Sequence, residues 1–305
     1  MTTTETTADR SDSALDRIRR APVNGIEIAY ETFGDPNDPA LLLVMGLGTQ
    51  MIAWPDAMCE TLAASGLHVI RYDNRDVGLS THIDAPAPSI PDMLLRRNTP
   101  YQITDMADDA VGLVDHLGID RYHLVGVSMG GFISQTIALA QPERIRTLSL
   151  IMTSTGSKKV GKPNAGVIRR MATQAPATSR QQAIEDAVTT YGVIGSPGHV
   201  DNDVVRALAG EAFDRSHDPD GRQRQLAAIL AQPDRTAELR RLTMPTLVVH
   251  GLDDPLVAVS GGLAIAKAIP RATFIGHSGM GHDLPRSMWE VLTEDILRLI
   301  ASASA

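Results

Sequence analysis

Short, solid apolar runs alternate with stretches of helical period along the first half of the chain. "LLLVM" (Leu41 to Met45) and "HVIRYD" are apolar enough to be strands covered on both faces. "NGIEIAYETFG" alternates apolar and polar positions after a turn-forming Asn24-Gly25, which predicts an early strand. Between "LLLVM" and "HVIRYD", the run "MIAWPDAMCETLAASG" predicts a helix ending at Gly66, with Pro55 able to delay its start. "ITDMADDAVGLVDHLGID" predicts an amphipathic helix: Met106, Ala110, Leu113, Val114 and Leu117 share one face, and Gly118 is placed to end it. The strand "YHLVGV", a helix after Ser128 and the strand "TLSLIM" follow. Strand and helix in this rhythm imply right-handed crossovers and a mainly parallel sheet of the α/β class.

The rhythm breaks from about Thr155 to Leu242, where no buried strand is evident. Helical patterns such as "DNDVVRALAGEAF" and "GRQRQLAAILA" dominate, separated by "SPG" and "DPDG". The strand pattern resumes with "TLVVHG", a helix around "VSGGLAIAKAI" and the strand "ATFIGH". A last helix carries Met288, Val291, Leu292, Ile296, Leu299 and Ile300 on one face. The expected division is a flexible polar tail over 1–20, with a short helical turn near Ala14 to Arg19, a core of 21–154 and 243–305, and a helical cap over 155–242. No internal repeat is visible.

Composition narrows the function. The chain has 305 residues and is 43% hydrophobic, which fits a folded globular protein. Its formal charge of −8 and the lack of a long basic run argue against a nucleic-acid partner. One cysteine, Cys59, excludes an intrachain disulfide and a thiolate metal cluster, and is consistent with a reducing cytoplasm. No apolar run reaches the roughly 18–20 residues that span a bilayer. The N-terminal segment lacks the basic start and apolar middle of a secretory signal. The nine histidines are scattered, with no His-x-x-x-His or His-Glu pair on a helix, so no metal is expected. No Gly-x-Gly-x-x-Gly opens a helix after the first strand, so no dinucleotide cofactor is expected either.

In an open parallel sheet, sites form at the carboxyl ends of strands. Three such positions offer a serine, an aspartate and a histidine. Ser128 follows "YHLVGV" inside Gly126-x-Ser128-x-Gly130, the pattern of a nucleophile elbow in a strand-to-helix turn. Side chains in place of the flanking glycines would collide with the neighbouring strand or helix. A glycine-lined turn with an incidental serine is the competing reading of the five residues alone. Asp254 follows "TLVVHG" in "HGLDDPLV", where a buried carboxylate can orient a histidine; Asp253 is its rival, and a helix cap is the ordinary role of a single aspartate. His282 sits in the glycine-rich "SGMGHDLP" after "ATFIGH", with His277 as its rival. Ser128, Asp254 and His282 follow the Ser…Asp…His chain order of α/β-hydrolases. Oxyanion donors are expected from the backbone N–H of Met129 and from that of Leu47 in "GLGTQ".

From roughly Pro22 onward the chain resembles a serine α/β-hydrolase. "LLLVMGLG", "HVIRYDNRDVGLST", "VGVSMGG" and "GMGHDLP" resemble the aclacinomycin methylesterase-like carboxylesterases. Many α/β-hydrolases carry His-Gly where this chain has Met45-Gly46; that branch also uses Met-Gly. The resemblance implies an eight-stranded, mostly parallel sheet flanked by helices, with a helical cap. It implies a serine carboxylesterase acting on a small-molecule ester, with an acyl-enzyme on Ser128. Asp73, Arg75 and Asp76 of "DNRDVGLS" read as a structural ion-pair and turn network. The same triad could serve thioester, lactone or lipase-like hydrolysis, perhydrolysis or carbon–carbon cleavage, and a non-catalytic binder is the alternative of another class. Ser128 argues against haloalkane and epoxide chemistry, which use a nucleophilic aspartate. The cap has two aromatics, Tyr191 and Phe213, and its Ala, Val, Ile and Met content suggests an adaptable apolar roof. Short to medium acyl esters are the expectation; monomer or homodimer is undetermined.

Overall fold

A computed structural model describes residues 17–173 and 175–303. Eight strands form one sheet in the order β1-β2-β4-β3-β5-β6-β7-β8. They are β1 (Arg19–Val23), β2 (Ile26–Phe33), β3 (Ala40–Val44), β4 (His68–Tyr72), β5 (Tyr122–Val127), β6 (Ile145–Ile151), β7 (Thr246–Gly251) and β8 (Ala272–His277). β1 and β2 run antiparallel to their neighbours, and the remaining pairs are parallel.

Apolar runs become central strands because both sheet faces are covered. Leu42 and Val44 point to one core, with Leu124 and Leu148, and Leu41 and Leu43 to the other, with Val125 and Val127. The first core is closed by α3 (Ile103–His116), α4 (Met129–Ala140) and α9 (Ser260–Ala268). The second is closed by α1 (Asp56–Ala64) and α10 (Trp289–Ala303). Pro55 is the N-cap of α1, so that helix starts after the proline as its fixed geometry requires. A short helix, α2 (Ile90–Leu95), precedes α3.

Two expectations are corrected. The tail was expected to run to residue 20, with helix near Ala14 to Arg19; residues 14–16 lie outside the described residues, and Arg19 opens β1. "RRAPV" buries only Ala21 and Val23, so it has too little apolar pattern to read as a strand. Its partner decides it: Asn24 and Gly25, at φ 49° and 77°, make a two-residue turn that pairs Val23 with Ile26. In α10, Leu292 and Ile296 are buried, but Val291 is 39% exposed because the helix turns about 100° per residue and carries it off the packed face.

Between β6 and β7 the described residues form four α-helices, α5 (Ala165–Thr173), α6 (Arg180–Ile194), α7 (Asn202–Arg215) and α8 (Pro219–Ala231), and a 3-10 turn at Glu238–Arg241. No strand of the sheet comes from this insertion among the described residues. Among them, too, no helix is long and apolar enough to cross a membrane.

Candidate active site

The central feature is the turn from β5 into α4. Ser128 occupies it at φ 54° and ψ −115°, a strained conformation for a residue with a side chain. The turn is tight on both sides. A Cβ on Gly126 would stand 2.3 Å from the Gly130 carbonyl oxygen and 2.4 Å from Ser134 Oγ, and one on Gly130 would stand 2.2 Å from the Val44 carbonyl oxygen of β3. The backbone is held where it is bent. Ser128 N–H donates to the Ile151 carbonyl at 2.9 Å, and its own carbonyl accepts from Thr153 Oγ–H at 2.8 Å.

Two loops bring partners to Ser128. His282 Nε2 lies 3.0 Å from Ser128 Oγ, and His282 Nδ1 lies 2.7 Å from Asp254 Oδ2. Asp254 is 7% exposed, and its other oxygen accepts the amide hydrogens of Leu256 and Val257 at 2.9 and 2.8 Å. The carboxylate is therefore fixed in direction before it meets the imidazole. The rivals do other work. Asp253 accepts the amide hydrogen of Gly279 at 2.8 Å, and His277 pairs with Asp295 of α10 at 3.2 Å.

Leu47 lies in the loop after β3, beside the elbow. A Cβ on its neighbour Gly46 would be 3.2 Å from Ser128 Cβ. Among the described residues, neither Leu47 N–H nor Met129 N–H has a backbone acceptor outside the regular elements. Met129 opens α4, where the first amides point free from the helix end and favour negative charge.

Residues 39–285 match the family model described as alpha/beta hydrolase fold. The chain belongs to the alpha/beta hydrolase fold family. It is 30% identical over 287 residues to a rhodomycin D methylesterase of Streptomyces sp. strain C5, covering 87% of this chain and 92% of that protein. It is 27% identical over 251 residues to 3-oxoadipate enol-lactonase 2 of Acinetobacter baylyi, covering 81% and 84% respectively. The solved enol-lactonase of Burkholderia xenovorans superposes with a TM-score of 0.73 at 25% identity, over 93% of this chain and 100% of that one.

The inserted helices of this alpha/beta hydrolase grip the loops around the elbow through polar residues that the sequence pattern did not single out. Ser196, just past α6, is fully buried; its Oγ–H donates to Asp283 Oδ1 at 2.5 Å and its oxygen accepts Gly281 N–H at 2.9 Å. Between those two, His282 N–H donates to the Ile194 carbonyl at 2.7 Å. Burial pushes the Asp283 carboxyl above its ordinary value, against the two hydrogen bonds it accepts from Ser196. On α8, the buried Gln225 accepts Gly48 N–H at 2.7 Å and donates to the Arg75 carbonyl at 2.7 Å. The signal for Gln225 was a polar residue on a helix face that must pack, which a search for apolar periodicity passes over; Ser196 lies past a helix end, where no periodicity applies.

The "DNRDVGLS" residues form an ion-pair network, and it reaches into the inserted helices. Asp73 accepts Met51 N–H and Leu79 N–H and pairs with Arg215 of α7 at 3.2 Å. Arg75 pairs with Asp109 of α3 at 2.6 Å, and Asp76 pairs with Arg224 of α8 at 2.8 Å. One ligand atom from each of Asp76, His82 and Asp218 lies within 4.8 Å of the others. Arg224 already supplies positive charge there, binding both Asp76 and Asp218.

Proposed function

We propose that the protein is a serine carboxylesterase for small to medium carboxylic esters, with the insertion over 155–242 acting as a cap on a core of 21–154 and 243–305. The carrying observation is one imidazole between two partners, His282 with Asp254 at 2.7 Å and Ser128 at 3.0 Å. Ser128 Oγ attacks the ester carbonyl carbon while His282 Nε2 takes the hydroxyl proton. Asp254 accepts the Nδ1 hydrogen and stabilises the imidazolium. The tetrahedral oxyanion is met by the N–H groups of Leu47 and Met129; a donor of this kind contributes about 10²–10³ in turnover. The carbon–oxygen bond to the alcohol then breaks, and His282 returns the proton to the leaving oxygen. Water attacks the acyl-enzyme by the same steps in reverse, releasing the acid and Ser128.

The similarity to a methylesterase supports ester hydrolysis. The similarity to an enol-lactonase supports a second reading, hydrolysis of a lactone, which is a cyclic ester opened by the same steps. The single cysteine, buried and unpaired, fits a cytoplasmic location.

A fluorophosphonate should label wild-type protein on Ser128 and leave Ser128→Ala unlabelled, by intact mass. A p-nitrophenyl ester series should favour short to medium chains and lose turnover in Ser128→Ala. Full activity in that variant would overturn the triad, and a preference for long chains would point to a lipase-like role.

A further inference from the structure

The face of α8 that meets the elbow carries a charge as well as an amide. Arg222 and Gln225 are three residues apart, and so share a helix face. Gln225 turns that face toward the loop after β3 through Gly48 N–H. Arg222 lies directly on the same loop: its Cγ and Cδ are 3.0 Å, and its Nε 3.4 Å, from where a Cβ on Gly48 would stand. Gly48 leaves room for that side chain and also holds φ at 62°, which a side chain would disfavour. Two residues back, Gly46 is packed against Ser128.

Arg222 differs from the arginines around it. Arg170, Arg215 and Arg224 pair with Asp186, Asp73 and Asp76 at 3.0, 3.2 and 2.8 Å. Among the described residues, no carboxylate lies within ion-pair distance of Arg222. Its side chain is reached by solvent, yet protein packed around it lowers its pKa, and Arg170 adds repulsion. A guanidinium stays charged at neutral pH, so an unneutralised cation lies beside the loop that carries Leu47 and Gly48.

We propose that Arg222 binds a carboxylate carried by the substrate, and that the preferred substrates are esters bearing an acidic group, such as half-esters of dicarboxylic acids. The proposal rests on the ester-hydrolase reading of Ser128. It adds one cationic anchor to the adaptable apolar roof that composition suggested. A fork of N–H donors matches a carboxylate in two-point geometry, which orients the substrate as well as holding it.

Initial rates on monomethyl succinate, glutarate and adipate are compared with methyl butyrate, pentanoate and hexanoate. Wild type should favour at least one half-ester over its neutral counterpart. Arg222→Gln should lower kcat/KM for that half-ester by about 10–100-fold, in line with a charged hydrogen bond, and change the neutral ester by less than about 3-fold. Arg222→Lys, which keeps the charge and loses the fork, should fall between. Equal treatment of both ester classes by wild type, or an equal fall for both in Arg222→Gln, overturns the proposal. Calorimetric binding of the same esters to Ser128→Ala, with and without Arg222→Gln, needs no turnover. An Arg222-dependent preference for the half-ester supports the proposal there, and its absence overturns it. Failure of fluorophosphonate labelling with no turnover of either class would instead count against the Ser128 reading.

Discussion

Gln225 holds Gly48: its side-chain oxygen accepts the Gly48 amide hydrogen at 2.7 Å, from a helix 177 residues further along the chain. The same side chain donates to the Arg75 carbonyl, so one buried amide ties α8 to two loops of the core. The loop beside the elbow therefore takes its shape partly from the inserted helices. Replacing Gln225 with Leu leaves a part-buried N–H and a buried carbonyl unpaired, and the buried carbonyl alone costs about 1–3 kcal/mol. Denaturant unfolding should register that loss, and kcat should fall with little change in KM. Unchanged kcat in a folded variant would separate Gln225 from the proposed Leu47 oxyanion donor.

Ser196 makes the corresponding hold on the loop that carries His282. Ser196→Ala removes the hydrogen bond to Asp283 and the acceptor for Gly281 N–H, on either side of His282. The rate of fluorophosphonate labelling at saturating probe should drop, because that rate reads the alignment of His282 with Ser128. Ser196→Thr, which keeps a hydroxyl, should restore part of it. A labelling rate equal to wild type in both variants would reduce Ser196 to packing.

The Arg224–Asp76 pair is buried, with side-chain exposures of 5% and 0%. Arg224→Met strands Asp76 without its cation, and breaking a buried pair in this way typically costs about 3–5 kcal/mol. Asp76 keeps its bonds from Tyr101 and Ile83 N–H, so the protein should fold with a lower melting temperature. The combined change of Arg224→Met with Asp76→Asn should recover part of the loss, as measured by thermal melts.

His123 gives the fold an acid limit. Burial, and to a lesser degree Arg146, pushes its pKa from an ordinary 6.5 down to about 4. The unfolded chain therefore takes up a proton at higher pH than the folded protein. Stability is full above about 6.5 and is lost as the pH falls toward about 4. At about 1.4 kcal/mol per unit, the loss is on the order of 3 kcal/mol. Melts between pH 7 and 4 should show a shallower decline in His123→Gln, and an identical slope would assign acid sensitivity to other groups.

The sequence by itself determined what depends on near neighbours in the chain. Solid apolar runs at Leu41–Met45 and in "HVIRYD" read as strands covered on both faces, and "YHLVGV" as a strand. The glycines flanking Ser128 could only be a turn in which the backbone packs against strand and helix. The chain order of serine, aspartate and histidine followed from where such strands end. Tertiary structure decided what depends on distance in space. Asp253 and Asp254 are chemically identical neighbours, and only the position of His282 separates the one that meets the imidazole from the one that holds Gly279. β1 has too little apolar pattern to stand alone and exists through its pairing with β2. Gln225, Ser196 and Arg222 carry no periodic signal, because an amide, hydroxyl or guanidinium acquires its meaning from the atom it faces. Those atoms belong to loops that lie far away in sequence and are brought close only when the inserted helices pack onto the sheet.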